Sequence, residues 1–155
     1  MGLLIGIDEA GLGPVMGPLV VAGVKFAEEV VPFFRDIGVR DSKMFGCGEK
    51  ARSAREKLWN AMRSKLADFR YKVIPAREID ENLKKGYTMY ALELTRICEI
   101  LKELDVLSCK CVYIGKLGMM GRDKFVRLIC AQLNLEKCAF EEKLIYEKDA
   151  DRKYI

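Results

Sequence analysis

Histidine is absent from the 155-residue sequence, and its absence excludes several kinds of chemistry. Without an imidazole, no Ser-His or Cys-His nucleophile pair can be assembled, and no histidine general base is available. Zinc sites lose their histidine ligands as well, and none of the six cysteines form a pair with CxxC spacing. Any catalysis must therefore rest on carboxylates, lysines, thiols or a bound metal.

Long apolar segments and a cationic leader are also missing. No window reaches the roughly 18 consecutive apolar residues that a membrane-spanning helix requires, and no basic region precedes an apolar stretch at the N-terminus. We therefore expect neither a membrane partner nor export. The cysteines lie mostly inside apolar runs, which favours reduced thiols in a cytoplasmic protein.

Neither sign of charge is in large excess. The chain has 27 basic and 23 acidic residues, and its net charge of +4 is a mild bias toward polyanions. With half of its residues apolar, a chain of this length is expected to form a single domain over residues 1–155. We expect this domain to be a monomer.

Apolar runs and helical periodicity alternate along the chain in a way typical of an α/β protein. The patterns predict strands over 2–7, 19–26, 71–75, 111–114 and 144–146, and helices over 48–69, 88–104 and 123–133. Glycine-rich stretches at 11–18 and 115–121 predict loops. Strands with short connections, followed by helices alternating with single strands, predict a mixed central sheet flanked by helices.

Asp8 and Glu9 form an acidic pair between an apolar predicted strand and a glycine-proline loop. Adjacent side chains on a strand point to opposite faces, so both can serve one site only where the strand ends. Hard divalent cations such as Mg²⁺ prefer oxygen ligands, which makes this pair a candidate metal site. The alternative is a solvated acidic pair, because loops commonly collect polar residues.

The stretch GIDEAGLGPVMGPLVVAGV, residues 6–24, resembles the opening of the ribonuclease HII (type 2 ribonuclease H) family, whose consensus has the form GIDEAGRGPxxGPLVVAGV. Residues 39–43 resemble the family's "DSK" segment, and residues 79–82 resemble its "ID...N" segment. Residues 150–154 resemble the "AD..Y" segment that follows the fifth strand. The matches keep their order along the chain.

This resemblance implies a ribonuclease H-like fold and endonucleolytic cleavage of the RNA strand of RNA·DNA hybrids, or of ribonucleotides embedded in duplex DNA. It also implies a site with two Mg²⁺ or Mn²⁺ ions, for which Asp8, Glu9 and Asp151 occupy the positions of family ligands. Two cations can activate water and stabilise the leaving oxygen without a histidine. Taken alone, Asp151 would be a solvated charge near the chain terminus.

The resemblance further implies contacts to nucleic acid. Gly11, Leu12 and Gly13 stand at the family's Gly-Arg-Gly, which helps to recognise the junction nucleotide. The two glycines still permit close approach of the backbone to a strand, although leucine removes the cation. Lys43, in the DSK segment, is a candidate for phosphate contact.

The sequence departs from the family at the third metal-binding carboxylate, where Gly115 stands in place of an aspartate. Asp123 or Asp149 could substitute from nearby. The chain also lacks the C-terminal helical segment typical of the family. Three interpretations follow: a divergent active nuclease, a catalytically inactive nucleic-acid-binding domain, and a truncated fragment.

Overall fold

The computed structural model describes residues 2–12 and 17–147, and it has the predicted α/β architecture. Its strands are β1 (Leu3–Ala10), β2 (Leu19–Ala27), β3 (Leu66–Ile74), β4 (Cys111–Gly115) and β5 (Leu144–Glu147). Its helices are α1 (Val31–Asp36), α2 (Glu49–Met62), α3 (Ala76–Lys84), α4 (Met89–Glu103), α5 (Arg122–Leu133) and α6 (Lys137–Glu141). None of the helices in this described part of the chain is long and apolar enough to cross a membrane.

The five strands form one mixed sheet in the order β3-β2-β1-β4-β5. β2 is antiparallel to both β1 and β3, whereas β1, β4 and β5 run parallel to one another. The carboxyl ends of these three parallel strands therefore meet at one edge of the sheet. Residues that follow or end these strands are brought together there, although they are far apart in sequence.

The main hydrophobic core lies between one face of the sheet and helices α4 and α5. Thr88 caps the N-terminus of helix α4, where its hydroxyl accepts a hydrogen bond from the Ala91 amide. Its apolar stripe includes Ile97 and Ile100, which are almost completely buried. A Cβ at Gly23 of β2 would lie only 2.5 Å from the Ile100 side chain, so glycine allows α4 to approach the sheet closely.

The helix predicted over 48–69 is wrong at its C-terminal end. Leu58, Met62 and Leu66 have helical spacing, but the helix ends at Met62 and Leu66 begins β3. Leu66 pairs with Phe26 of β2, and this pairing makes β3 the edge strand of the sheet. Backbone pairing across the sheet therefore overrides the local helical pattern. The structure also has three helices that the sequence patterns do not predict, namely α1, α3 and α6.

Candidate active site

The acidic pair lies within β1 rather than after it, which corrects the expectation that the strand ends before Asp8. Pairing with β2 continues through Asp8↔Ala22, Glu9↔Val21 and Ala10↔Val20. The two carboxylates therefore point to opposite faces of the sheet. Glu9 shares its face with Val21, which is fully buried in the core beneath α4, and Asp8 projects from the other face.

Asp8 lies at an open groove of about 280 Å³ on the sheet face opposite α4. β1, β2 and β4 form the floor, and the segment after α1 forms one wall. The lining residues are Gly6, Ile7, Asp8, Ala22, Val24, Val39, Arg40, Asp41, Ser42, Tyr113 and Gly115. The groove therefore brings the predicted catalytic Asp8 beside the family-like "DSK" segment and beside the position where the third carboxylate is missing.

Gly115 ends β4 directly beside the acidic end of β1. Because Ile7 pairs with Ile114, Asp8 and Gly115 occupy neighbouring positions on the groove face. Gly115 in turn pairs with Glu147 at the end of β5. A Cβ built at Gly115 meets no atom within 4 Å, so the space for a carboxylate side chain is present even though the carboxylate is absent.

The groove wall is shaped by a short 3₁₀ turn, Ser42–Phe45. The Asp41 carboxylate accepts a hydrogen bond of 3.0 Å from the Lys43 amide and so caps this turn. Arg40 lies over the Phe45 ring, with 4.8 Å between the guanidinium carbon and the ring centroid. Arg40, Asp41 and Ser42 line the groove, whereas the exposed Lys43 lies beside it.

Gly11, the first residue after β1, has a backbone conformation that requires glycine. Gly11 has a φ of +97°, and a Cβ there would lie 2.3 Å from the Pro18 carbonyl oxygen. Leu12, at the position of the family's arginine, packs against the buried cluster of Leu19, Ile74 and Leu92. Its side chain therefore contributes to packing, and Gly13 lies outside the described residues.

Glu93 of α4 is a carboxylate that no sequence motif identifies. It is only 3% exposed, and its Oε2 atom has no hydrogen-bond partner. Burial, followed by the negative charges of Glu9 and Asp8, raises the pKa of Glu93 from its ordinary value of 4.5 to about 7. The sequence does contain a signal for Glu93: it lies four residues before Ile97, which places a charged residue on the apolar stripe of α4.

The remaining predicted carboxylates are not brought to the groove by the described structure. Asp149 and Asp151 lie outside the described residues, and Asp123 is exposed in the first turn of α5, away from the groove lining. No three carboxylates or thiols within residues 2–12 and 17–147 are close enough together to hold a metal ion. The available donors are nevertheless carboxylate oxygens, and the unpartnered Glu93 Oε2 adds one more, which suits a hard divalent cation.

Comparison with known proteins gives a consistent result. Residues 5–155 match the sequence model of the family described as Ribonuclease HII. Ribonuclease HII of Pyrococcus horikoshii is 34% identical over 149 residues, a match that covers 96% of this chain and 61% of that relative. The chain thus spans less than two thirds of the length of this curated relative.

Solved structures share the fold. The crystal structure of the ribonuclease H2 from Pyrococcus horikoshii OT3 matches with a TM-score of 0.78 and 32% identity, covering 98% of this chain and 65% of that one. The ribonuclease HII in the PCNA complex from Archaeoglobus fulgidus matches with a TM-score of 0.75 and 27% identity, with the same coverage. Bst-RNase HIII in complex with Mn²⁺, at 19% identity and a TM-score of 0.74 over 96% of this chain and 46% of that one, shares the fold.

Proposed function

This chain belongs to the ribonuclease HII family, and we propose that it is a metal-dependent endonuclease acting on RNA·DNA hybrids or on ribonucleotides embedded in duplex DNA. Asp8 carries this proposal, because it combines the family signature with a position in an open groove at the end of β1. A carboxylate on the floor of a groove where parallel strands end is suited to holding a cation against a phosphate.

The proposed cofactor is a pair of Mg²⁺ or Mn²⁺ ions with Asp8, Glu9 and Asp151 as ligands, Asp8 from the groove face of β1 and Glu9 from the opposite face. When bound, such cations supply electrostatic stabilisation of the scissile phosphate and a water of lowered pKa. Family membership supports a divalent metal, and the carboxylate donors support a hard one. Asp151 is included among the proposed ligands on the family resemblance alone, since it lies outside the described residues.

The chain's own residues would position the nucleic acid. Gly11 and Leu12 would offer their backbone groups to the nucleic acid, since they stand at the family's Gly-Arg-Gly. Lys43 projects beside the groove and would contact a phosphate. Arg40 and Ser42 line the same wall and offer further donors. The Leu12 side chain offers no hydrogen bond, so recognition at this loop would depend on backbone groups.

The test is cleavage of a hybrid duplex and of a DNA duplex with one ribonucleotide, each with Mg²⁺ and with Mn²⁺. We expect cuts in the RNA strand that are abolished by Asp8→Asn and by chelation. Glu56→Gln, which changes an exposed carboxylate on α2, is the control and should leave cleavage unchanged. Cleavage that survives Asp8→Asn would refute the assignment of the site.

A second candidate function is the binding of such duplexes without cleavage. Gly115 favours binding without cleavage, because the groove lacks one carboxylate. The packing of Leu12 into an apolar cluster favours the same function. Gel-shift binding of both duplexes without cleavage in either metal would support it.

We propose further that the protein is a cytoplasmic monomer. In the described part of the chain the cysteines Cys47, Cys98, Cys109, Cys111 and Cys130 are free thiols. Reduced thiols are typical of the cytoplasm, and burial raises the pKa of Cys98 to about 12, which makes that thiol unreactive. Sedimentation at several concentrations tests the monomer, and localisation of a tagged copy tests the compartment.

A further inference from the structure

The position of Glu93 follows from how α4 lies on the sheet. Helix α4 runs in the same direction as β2, since Leu92 packs against Leu19 and the Leu104 carbonyl accepts a hydrogen bond from the Lys25 ammonium. Ile100 sits over Gly23. Glu93 precedes Ile100 by two helical turns, about 10 Å along the axis.

The same distance along β2 corresponds to about three residues before Gly23, at the level of Val20 and Val21. Val21 is paired with Glu9, whose side chain points to the α4 face of the sheet. Helix geometry and strand register therefore place the side chains of Glu93 and Glu9 on one side of the sheet, at the acidic end of β1. The influence of the Glu9 charge on the pKa of Glu93 agrees with this placement.

Glu93 lacks a compensating partner there. Within the described residues, no cationic side chain forms an ion pair with it, and its Oε2 atom is buried without a hydrogen bond. Of the cations on or near α4, Arg96 pairs with Glu78 and Glu99, Lys25 bonds to the Leu104 carbonyl, and Lys102 is exposed. Buried carboxylates in folded proteins are normally paired, hydrogen-bonded or bound to a metal.

We propose that Glu93 is a ligand of a divalent cation, binding it together with Glu9 from the α4 side of the strand end, whereas Asp8 faces the groove on the other side of the sheet. Two carboxylates and several waters form an ordinary coordination shell for Mg²⁺. The inference rests on the proposed function, because it assumes that the acidic end of β1 binds a cation. It assigns a role to a carboxylate that lies outside the family signature segments.

The experiment measures Mn²⁺ binding to the purified chain by titration calorimetry and by electron paramagnetic resonance, without any substrate. It is done at about pH 8, where the carboxyl of Glu93 is ionised. Glu93→Gln keeps the shape of the side chain and removes its charge, and we expect it to weaken Mn²⁺ binding about tenfold or more. Glu99→Gln, a half-buried carboxylate on the same helix that pairs with Arg96, is the matched control and should bind within twofold of the parent chain.

Asp8→Asn separates this inference from the proposed function. If Asp8→Asn weakens Mn²⁺ binding and Glu93→Gln does not, the role of Glu93 is overturned and the proposed site survives. If Glu93→Gln weakens binding and Asp8→Asn does not, the role of Glu93 is supported and the assignment of Asp8 fails. A parent chain that binds no Mn²⁺ overturns both.

A second measurement guards against a variant that is merely misfolded. Mn²⁺ should raise the thermal unfolding midpoint of the parent chain and of Glu99→Gln, because a ligand that binds only the folded state stabilises it. Glu93→Gln should fold with a midpoint in EDTA at least equal to that of the parent, yet show a reduced Mn²⁺-dependent rise. An undiminished rise in Glu93→Gln would overturn the inference.

Discussion

Replacing Glu93 by glutamine should change how the stability of the metal-free protein depends on pH. In the folded chain, burial and the charges of Glu9 and Asp8 raise the pKa of the Glu93 carboxyl to about 7. In the unfolded chain the carboxyl ionises near its ordinary value of 4.5. Between these values the folded state binds more protons than the unfolded state, so this group makes stability fall as pH rises.

The magnitude follows from the two pKa values. Each unit of difference corresponds to about 1.4 kcal/mol, so ionisation of Glu93 lowers the free energy of unfolding by about 3 kcal/mol in all. The loss begins near pH 4.5 and is complete slightly above pH 7. Against a typical total of about 5–15 kcal/mol for a domain, it should be readily measurable.

The assay is urea unfolding in EDTA at several values between about pH 5 and pH 8, for the parent chain and for Glu93→Gln. Glutamine does not titrate, so the difference between the two free energies of unfolding isolates the contribution of Glu93. We expect the variant to gain about 2–3 kcal/mol relative to the parent across this range. Glu99→Gln should follow the parent, and parallel curves for the parent and Glu93→Gln would refute the reasoning.

Three further changes test the site and the packing that supports it. Gly115→Asp should strengthen Mn²⁺ binding about tenfold in calorimetry, because the groove has room for the added carboxylate. Tyr146→Phe should cost about 1–2 kcal/mol in urea unfolding, since its hydroxyl accepts the buried 2.9 Å hydrogen bond from the Leu117 amide. Gly23→Ala should cost about 1–3 kcal/mol by the same measurement, because the added methyl would overlap Ile100. Each expectation fails if the variant matches the parent.

Much of the fold was predictable because its main elements have strong patterns of their own. The apolar run of β2 and the stripe of α4 end within a residue or two of their predicted bounds. Leu66 shows the limit of this reasoning, because its helical spacing is local while its strand pairing with Phe26 is not. Sequence periodicity reports which face of an element is apolar, but it does not report which neighbour will pair with it.

The candidate site was predictable as far as its motif reached. Asp8 and Gly115 were identified from the resemblance, and the register of β1 and β4 places them side by side. The opposite orientations of Asp8 and Glu9 depend on pairing with β2 that continues to Ala10, which no local pattern revealed. Glu93 belongs to no motif, so the sequence does not predict its role. Its significance arises only when α4 packs on the sheet.

The parallel pairing of β1 with β4 has a consequence for the order of folding. β1 and β2 are joined by a short connection and can form an antiparallel hairpin early, whereas Leu4 meets Cys111 only after most of the chain has been synthesised. Closing such a long loop is entropically costly, so this contact is expected to form late. The groove beside Asp8 and Gly115 thus forms only in the final stage of folding, and a nascent chain does not present it before then.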